Sequence, residues 1–365
     1  MRVGVVGGGA VGLVTAGDLA AAGADVTLYE RDALGSGATG RAAGICYDAF
    51  AGRMDAAVAD RALARYREWG LLTPRPYVWV AREDGDGTAV RGQVAEMQRR
   101  GVDAETVTPA ELGERYPRLR IDAVVAAGVA RDAGTVDPDE VVAFLAERAR
   151  DAGATLRTDT PVSLAAPTTV ETAEGTAAFD AVVVAAGHAT APLVERVGVS
   201  LAVDTYRAQA LVTAAVEGTL PSLYDATREF YWRPRGAGLL VGDGAHPATP
   251  DDWDREADAS FVEATLDRVR AATTLSPAVE RSWAGLCTAT PDRDPLVGEV
   301  ADGLWVATGW QGHGLMRAPA FGEYVARRVR GAPSPFAVPV AERVDPTRFD
   351  GDESFDPLGD PTADW

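Results

Sequence analysis

The first thirty residues alternate between short apolar runs and a helical pattern. Arg2–Val6 is an apolar, β-rich run, residues 11–22 are rich in Ala and Leu and end at Gly23, and residues 26–30 form a second apolar run that ends in an acid. This order predicts strand, helix and strand. We therefore expect a βαβ unit at the start of a parallel sheet.

The rest of the chain alternates in a similar way. The long apolar run DAVVVAAG at residues 180–187 is typical of a buried parallel strand. Asp137 is a good helix N-cap, Pro138 a good first helical residue and Gly153 a helix end. The segments predicted as helices are 55–70, 94–100, 138–153, 257–272 and 319–329, and those predicted as strands are 77–80, 155–158, 170–179 (a hairpin), 180–187 and 304–308.

Segments that suit a parallel sheet are interleaved with segments that suit an antiparallel sheet. We predict an α/β fold in which a Rossmann-like nucleotide-binding domain is interleaved with an antiparallel-sheet α+β substrate domain. The nucleotide-binding domain takes residues 1–75, 131–200 and 280–331, and the substrate domain takes 76–130 and 201–279. Residues 332–365 form an acidic, Pro-rich tail that we expect to be loosely ordered.

Composition limits the class of protein and its partners. The chain has 365 residues, 47% hydrophobic and 24% charged, which is typical of a soluble globular protein, and no apolar window is long enough for a membrane span. Its net charge is −19 and all 35 basic residues are arginine. Nucleic acid is disfavoured as a partner, because phosphate contacts need a basic face. The acidic surface suits a halophilic cytoplasm, although a GC-rich genome also replaces lysine by arginine.

Two further features favour a cytoplasmic protein. The only cysteines, Cys46 and Cys287, do not suggest a disulfide framework. The first predicted strand starts at Arg2, so we expect no signal peptide.

A glycine-rich turn joins the first predicted strand to the first helix. It has the G-x-G-x-x-G spacing, in which the glycines permit a tight turn, close approach of backbone to a pyrophosphate, and close packing of helix on strand. The acid at the end of the second strand is placed to accept a hydrogen bond from a ribose hydroxyl and disfavours NADP. The motif leaves NAD and FAD open. The predicted dinucleotide contacts are Gly7, Gly9, Ala10, Val11, Gly12 and Glu30.

The segment that follows Glu30 is rich in Gly, Ser, Thr and Ala. Small residues let the backbone wrap closely around a long ligand, although a flexible surface loop has the same composition. On composition alone both interpretations stay open.

Several ordered motifs resemble one family. They are VVGGGAVG from Val5, SGATGRAAGI from Ser36, GTVDP from Gly134, VVVAAGHAT from Val182, FYWRP from Phe230, GLLVGDG from Gly238, TPDRDPLVG from Thr290 and GWQGHGLMRAPAFGE from Gly309. Over about residues 1–330 the chain resembles the FAD-dependent amine and amino-acid oxidoreductases, the family of D-amino-acid oxidase, glycine oxidase and monomeric sarcosine oxidase.

The resemblance implies the remaining contacts to a non-covalently bound FAD. In the family a late strand ends in a Gly-rich turn that leads into a helix pointing at the flavin ring, and here that turn runs from Gly309 to Met316. Its backbone N–H groups would stabilise negative charge on the reduced flavin. Val162 matches the position along the adenine, and Ala186 and Gly187 match a turn beside the ribose or phosphates. The other implied contacts are Arg31, Gly37, Thr39, Gly44, Ile45, Gly312, His313, Gly314 and Leu315.

Catalytic and substrate-binding residues follow from the same motifs. Tyr231 matches a substrate-contacting tyrosine of sarcosine oxidase and is a candidate catalytic and substrate-binding residue; packing in the sheet is the alternative. His313 is a candidate catalytic residue, and a structural role in the turn is its alternative. Arg233 and Arg317 are the first candidates to bind a substrate carboxylate, since arginine can do so bidentately. Arg207 and Arg41 come next, and no metal site is predicted.

Two departures from the family concern lysine and cysteine. A lysine over the flavin of sarcosine oxidase matches Leu240 here, and a second, near the substrate carboxylate, matches Met316. The chain has no lysine, so neither role can be filled by one. The covalent flavin cysteine of sarcosine oxidase aligns nearer Gly285 than Cys287. We therefore expect non-covalent FAD, and a dehydrogenase more than an efficient oxidase.

The resemblance implies oxidation of the C–N bond of an amino acid or N-alkyl amino acid (a D-amino acid, glycine, sarcosine or a proline-like compound). Hydride would pass to flavin N5 and the imine would hydrolyse. The electron acceptor would be a quinone, dye, protein or oxygen. Two alternatives are an FAD-dependent 2-hydroxy-acid or glycerol-phosphate dehydrogenase and a non-catalytic NAD-binding protein.

Overall fold

The computed structural model describes residues 1–358, with all of their side chains except those of residues 243 and 244. The helices of this range are α1 (Ala10–Ala21), α2 (Arg53–Glu68), α3 (Asp84–Arg99), α4 (Pro109–Arg115), α5 (Pro138–Asp151), α6 (Thr190–Glu195), α7 (Ala259–Ala272), α8 (Gly314–Val329) and α9 (Ala341–Val344). None of them is long and apolar enough to cross a membrane.

The other secondary-structure elements of residues 1–358 are strands and three short 3-10 helices. The strands are β1 (Arg2–Val6), β2 (Asp25–Tyr29), β3 (Ile45–Tyr47), β4 (Thr73–Pro74), β5 (Tyr77–Ala81), β6 (Ala104–Val107), β7 (Ala126–Ala130), β8 (Ala133–Thr135), β9 (Thr155–Arg157), β10 (Ser163–Ala166), β11 (Thr169–Thr172), β12 (Gly175–Ala178), β13 (Ala181–Val184), β14 (Asp204–Thr213), β15 (Ser222–Asp225), β16 (Phe230–Arg235), β17 (Gly238–Pro247), β18 (Val279–Ala289), β19 (Leu296–Ala301) and β20 (Leu304–Thr308). The 3-10 helices are Thr39–Arg41, Gly187–Ala189 and Pro346–Arg348.

A six-stranded sheet extends the predicted βαβ unit. Its order is β19-β20-β13-β1-β2-β9, and all neighbours are parallel except β19 and β20. Val183 of β13 packs in the core that contains α1, α5 and α8, whereas Val182 and Val184 pack against the small sheet β10-β11-β12. Burial on both faces explains the continuous apolar run in the sequence.

A second sheet of eight strands has the order β18-β14-β17-β16-β15-β5-β7-β6 and is antiparallel except for β15 and β5. One face carries Val78, Trp232 and Val241, which pack against Phe261 of α7. The opposite face carries alternate residues of the same strands, such as Tyr77, and lines the cavity described below. The two sheets together confirm the predicted fold class.

The strand β18 corrects one predicted domain boundary. It pairs with β14 along its whole length, from Asp204↔Ala289 to Thr213↔Val279. Residues 280–289 therefore belong to the eight-stranded sheet and not to the nucleotide-binding part. The chain pattern alone could not show this, because the partner strand lies much earlier in the sequence. The rest of the domain division stays a proposal.

The helix α8 begins at Gly314, before the predicted start at Pro319. Proline inside a helix leaves the carbonyl four residues earlier without its usual donor. Here that carbonyl is of Leu315, and the buried Tyr66 hydroxyl donates to it at 2.7 Å. Arg65 of the same helix α2 donates to the Pro319 carbonyl, also at 2.7 Å. Tertiary contacts from α2 therefore stabilise a helix that local sequence would break.

The expectation of a loosely ordered tail is wrong for residues 332–358. Val340 and Val344 are buried in the core of the six-stranded sheet. Arg343 pairs with Asp294, and Arg348 donates to both carboxylate oxygens of Asp292 at 2.8 Å. Apolar contacts and ion pairs thus fix this segment despite its polar composition. Residues 359–365 of the predicted tail lie outside the described residues.

Candidate active site

A cavity of about 1470 Å³ is lined by residues of both large sheets. It is larger than the 300–1000 Å³ typical of pockets for single drug-sized ligands. One register row of the eight-stranded sheet runs along it. The row is Trp79, Tyr224, Tyr231, Gly242, Ala210 and Trp283, each the cross-strand neighbour of the next. Five strand spacings make this row about 24 Å long, enough for an elongated ligand.

The glycine-rich turn lies at one end of the cavity. Gly7 has φ of +112°, and a Cβ on Gly12 would lie 2.0 Å from the Gly7 carbonyl oxygen. Gly12 does not line the cavity; it lets α1 pack on β1, as predicted from the motif. Gly9, by contrast, lines the cavity, and a Cβ there would meet only Thr39 Oγ1, at 3.1 Å. Backbone can therefore approach a ligand closely at this turn.

Glu30 organises the same turn. One of its carboxylate oxygens accepts a hydrogen bond from the Gly8 N–H at 2.7 Å, and the other accepts from the Asp32 N–H at 3.0 Å. Each oxygen has a further lone pair, so an acceptor is available for the predicted ribose bond. The structure adds a role the sequence did not show, since Glu30 also fixes the turn that would hold the phosphates.

The small-residue loop after Glu30 lies along the cavity, which favours the ligand-wrapping interpretation over a free surface loop. Thr39 Oγ1 accepts from the Ala10 N–H at 3.1 Å and so joins the loop to the start of α1. Trp283 Nε1 donates to the Arg41 carbonyl at 3.1 Å and joins it to the large sheet. The loop is thereby held between the two sheets.

The cavity brings together most of the predicted cofactor contacts. Two do not line it: Gly12, and Gly309, where a Cβ would lie 2.4 Å from Thr290. Those that line it are Gly7, Gly9, Ala10, Val11, Glu30, Arg31, Gly37, Thr39, Gly44, Ile45, Val162, Ala186, Gly187, Gly312, His313, Gly314, Leu315 and Met316. Their assignment to the cofactor stays a proposal.

The late turn is fixed from the large sheet. Thr288 Oγ1 accepts from the N–H groups of Gly309 and Trp310, both at 3.2 Å. His313 is the N-cap residue of α8 and is half-buried. Burial, and secondarily the charge of Arg317, lowers the pKa of His313 from its ordinary 6.5 to about 3. The imidazole is therefore neutral at neutral pH, so His313 does not supply a positive charge to the site.

Arg317, one turn into α8, lines the cavity although it is buried. Its Nη2 pairs with Asp55 Oδ1 at 2.8 Å, and its guanidinium lies 5.5 Å from the ring centre of Phe50. Its Nε has no hydrogen-bond partner in the described part of the chain. A guanidinium has five N–H donors, so Arg317 can pair with a second anion wherever its guanidinium faces the cavity.

Arg233, the other first candidate, does not line the cavity. Its guanidinium donates to the backbone carbonyl groups of Ala43, Pro234 and Val136. Burial is the main reason that its pKa falls to about 10. The side chain of Arg233 thus lies behind the loop at Gly44 and ties that loop to the large sheet, and this placement does not favour its predicted substrate-binding role.

The position of Arg207 likewise does not favour a role as carboxylate anchor. It is buried outside the cavity and pairs with Asp258 at 2.9 Å. Arg41 does line the cavity, and it donates to the carbonyl groups of Ser36 and Gly37 in the small-residue loop. Its place beside that loop suits the dinucleotide end of the cavity more than the substrate end.

Tyr231 lines the cavity as predicted and lies flat across its neighbour strand. A Cβ on Gly242 would come within 2.1 Å of the Tyr231 hydroxyl oxygen, so only glycine leaves room for this ring. Burial raises the pKa of Tyr231 to about 12. The hydroxyl is therefore protonated at neutral pH and can donate a hydrogen bond, but it is no base.

Cys287 also lines the cavity, beside the Tyr206 hydroxyl. Burial raises the pKa of the Cys287 thiol to about 11. A thiol that stays protonated is a poor nucleophile. Leu240 is fully buried and does not line the cavity. The position that matches the family's lysine is thus apolar and closed to solvent.

Sequence reasoning missed several groups that line the cavity. His188 lines the cavity beside Arg31. Asp55 was not singled out. The missed aromatic residues are Tyr47, Phe50, Tyr77, Trp79, Tyr206, Tyr224 and Trp283. The alternation Tyr77-Val78-Trp79 was the signal available, because a period of two places both aromatic rings on one face.

Comparison with known proteins identifies the family. Residues 2–328 match the family model described as FAD dependent oxidoreductase. The chain belongs to this family. A glycine oxidase of Geobacillus kaustophilus is 30% identical over 350 residues, which cover 89% of this chain and 91% of that protein. The crystal structure of glycine oxidase from the same organism has a TM-score of 0.88 at 26% identity, with 96% of this chain and 100% of that chain covered.

A second relative in this family is the mitochondrial dimethylglycine dehydrogenase of Homo sapiens. It is 26% identical over 383 residues, which cover 94% of this chain but only 44% of that protein. This FAD-dependent oxidoreductase therefore resembles both an oxidase and a dehydrogenase.

The residues of the cavity fit FAD. Gly7, Gly9 and Gly12 have the space that the pyrophosphate turn requires, and Glu30 has an acceptor for the ribose. The cavity of about 1470 Å³ exceeds the volume of a pocket for one drug-sized ligand, which suits a dinucleotide together with a small substrate. The start of α8 then lies where N–H groups and a helix N-terminus would face the flavin ring.

Proposed function

We propose that this FAD-dependent oxidoreductase oxidises the C–N bond of an amino acid or an N-alkyl amino acid. The observation that carries the proposal is Arg317, a largely buried cation in the wall of the cavity that also contains the cofactor turn. The names of the relatives, glycine oxidase and dimethylglycine dehydrogenase, support a carboxylate-bearing amine as substrate.

Arg317 would bind the substrate carboxylate with the donors that Asp55 leaves free. Asp55 pairs with Nη2 and Nε is enclosed by protein, so the carboxylate would pair with the part of the guanidinium that faces the cavity. A charge-assisted hydrogen bond from the guanidinium would fix the position of the carboxylate. The α-carbon would then be held beside the turn Gly309–Met316. Holding the substrate in this orientation would itself lower the activation barrier.

Two side chains that line the cavity, His313 and Tyr231, are uncharged at neutral pH. His313 is neutral and Tyr231 is protonated, so both can make hydrogen bonds to the substrate without taking its proton. No general base is needed if the amine binds in its neutral form. Bound FAD supplies the redox chemistry, accepting two electrons from the substrate.

FAD would be held without a covalent bond. Cys287 is the cysteine that lines the cavity, and its raised pKa keeps the thiol protonated. Cys46 is fully buried in the core. Non-covalent attachment therefore rests on the poor reactivity of Cys287 and on the departure of this sequence from the cysteine position of sarcosine oxidase.

Electrons would pass to a quinone, dye or protein more readily than to oxygen. Oxygen activation by a reduced flavin benefits from a nearby cation, because negative charge develops on oxygen. At the family's lysine position this chain has the buried Leu240, His313 is neutral, and the charge of Arg317 is offset by Asp55. These three features favour a dehydrogenase or a slow oxidase.

The anchor is tested with Arg317→Met and a matched control, Arg207→Met, which removes another buried arginine paired with an aspartate. Loss of a buried charge pair predicts a fall in kcat/KM of about 10²- to 10⁴-fold for Arg317→Met. Arg207→Met should retain near wild-type kcat/KM. Asp55→Asn separates the roles, since it breaks the ion pair but leaves the cation. Unchanged kinetics in Arg317→Met would reject the anchor.

The reaction class is tested with a panel of amino acids, N-methyl amino acids and 2-hydroxy acids under an artificial electron acceptor. Oxidation of hydroxy acids alone would favour the C–O dehydrogenase alternative. A purified protein that binds NAD and shows no flavin absorbance would favour the non-catalytic alternative.

A further inference from the structure

An aromatic chamber lies beside Arg317. We define it as Tyr47, Phe50, Tyr77, Trp79, Tyr224 and Tyr231, all of which line the cavity. Tyr47 stacks on Tyr77 with ring centres 4.6 Å apart and on Phe50 with centres 5.1 Å apart. Tyr77 meets Trp79 edge to face at 4.9 Å. The rings form a continuous wall from Phe50, which touches the Arg317 guanidinium, to Trp79.

The large sheet fixes the other side of the chamber. Trp79, Tyr224 and Tyr231 are cross-strand neighbours on β5, β15 and β16, so their rings lie on one face of the sheet about two strand spacings, or roughly 10 Å, across. Met97 of α3 also lines the cavity, packs in the same cluster as Tyr77 and Trp79, and is almost fully buried. The wall is therefore preformed and apolar.

Charge is distributed unevenly around this chamber. Arg317 lies next to Phe50, while the exposed Glu229 lines the cavity near Tyr224. A carboxylate bound at Arg317 would direct the rest of the substrate along the aromatic wall. A second carboxylate that lies near Tyr224 would be repelled by Glu229.

We infer that the substrate is an amino acid or N-alkyl amino acid that carries a bulky apolar or aromatic group, and that acidic side chains are disfavoured. A substrate without a side chain would leave the aromatic faces in contact with water. A bulky group would bury them and gain the free energy of apolar burial together with ring-stacking contacts. The inference rests on the proposed function, since it uses Arg317 as the carboxylate anchor.

The first test uses the FAD-loaded enzyme and two non-reacting probes, acetate and phenylacetate, which share a carboxylate and differ in the ring. Binding is followed by the change in the visible spectrum of the bound flavin. Burial of a phenyl ring predicts that phenylacetate binds on the order of 10- to 100-fold more tightly than acetate. Equal affinities would overturn the inference about the chamber while leaving the carboxylate anchor in place.

Failure of the proposed function gives a different result. If neither probe changes the flavin spectrum, or if Arg317→Met binds both as tightly as wild type, the carboxylate anchor itself is wrong. The two outcomes are therefore distinguishable in one titration series.

A pair of variants tests whether the aromatic chamber causes the preference for phenylacetate over acetate. Tyr47→Leu removes the ring that stacks on both Phe50 and Tyr77 and should lower the preference for phenylacetate by roughly 2- to 10-fold, with the acetate affinity unchanged. Phe336→Leu is the matched control, because Phe336 also stacks on a tyrosine, Tyr324, but does not line the cavity. An equal effect of both variants would contradict the assignment of the phenylacetate preference to the aromatic chamber.

Turnover extends the test to substrates. Both enantiomers of N-methylphenylalanine and N-methylaspartate are compared with sarcosine under an artificial acceptor. We expect kcat/KM at least tenfold higher for one enantiomer of N-methylphenylalanine than for sarcosine, and lower for N-methylaspartate. Equal or better turnover of sarcosine would refute the proposed substrate class.

Discussion

At neutral pH we expect His313 to carry no charge. An ordinary histidine with a pKa of 6.5 is about one-quarter protonated at pH 7, whereas a pKa of about 3 leaves roughly one molecule in 10⁴ protonated. The structural causes are burial at the start of α8 and the neighbouring Arg317 guanidinium. Bound flavin would bury the ring further and strengthen the effect.

The chain is well suited to a direct measurement because it has three histidines. The ring C–H proton resonances of the FAD-bound protein are followed by NMR from pH 5 to pH 8.5, and His313→Gln assigns the His313 signal by its loss. We expect that signal to keep a constant chemical shift across the range. A titration of His313 with a midpoint above pH 5.5 would refute the burial argument.

The same pKa predicts a dependence of stability on pH. Below pH 6.5 the unfolded chain binds a proton on this imidazole and the native protein does not, so the free energy of unfolding falls as pH decreases, until the native pKa near 3 is reached. The loss is about 1.4 kcal/mol per pH unit, hence about 2 kcal/mol at pH 5. His313→Gln should lose less stability than wild type between pH 7.5 and pH 5. An equal loss of stability in both proteins would contradict the attribution of this pH dependence to His313.

A neutral His313 also bears on the electron acceptor. If reoxidation of the reduced enzyme by oxygen is slow and stays unchanged in His313→Gln, the result agrees with an uncharged His313 and with an Arg317 charge offset by Asp55. Fast reoxidation, hundreds of times above free reduced flavin, would refute the proposed preference for other acceptors.

Three further predictions concern the cofactor and the fold. Glu30→Ala should weaken FAD binding by roughly 10- to 100-fold in a fluorescence titration, because it removes a charged acceptor that also holds the Gly8 N–H; unchanged affinity would contradict both roles. Tyr66→Phe should lower the free energy of unfolding by about 1–3 kcal/mol in denaturant titration, since the buried Leu315 carbonyl loses its donor. Acid precipitation should release the flavin into the supernatant, and colour that stays with the pellet would show attachment through Cys287 or another group.

The sequence determined those features that depend on near neighbours in the chain. The G-x-G-x-x-G turn, the helix cap at Asp137 and the buried strand at residues 181–184 are local patterns, and the structure has each of them where it was predicted. Asp137 accepts from the Asp139 N–H at 2.9 Å, as an N-cap should. Such patterns fix backbone geometry over a few residues, and the ordered motifs therefore sufficed to identify the family.

Tertiary structure decided which side chains meet in the cavity. Arg233 and Arg317 were equal candidates in the sequence, yet one lies behind a loop and the other lines the cavity, because each is placed by a strand or helix whose partners lie far away in the chain. The start of α8 depends on Tyr66, and the boundary at β18 depends on β14. The aromatic chamber exists only because β5, β15 and β16 pair in one register. Register, burial and the charge of His313 follow from contacts between distant segments, and a single sequence read along its length does not contain them.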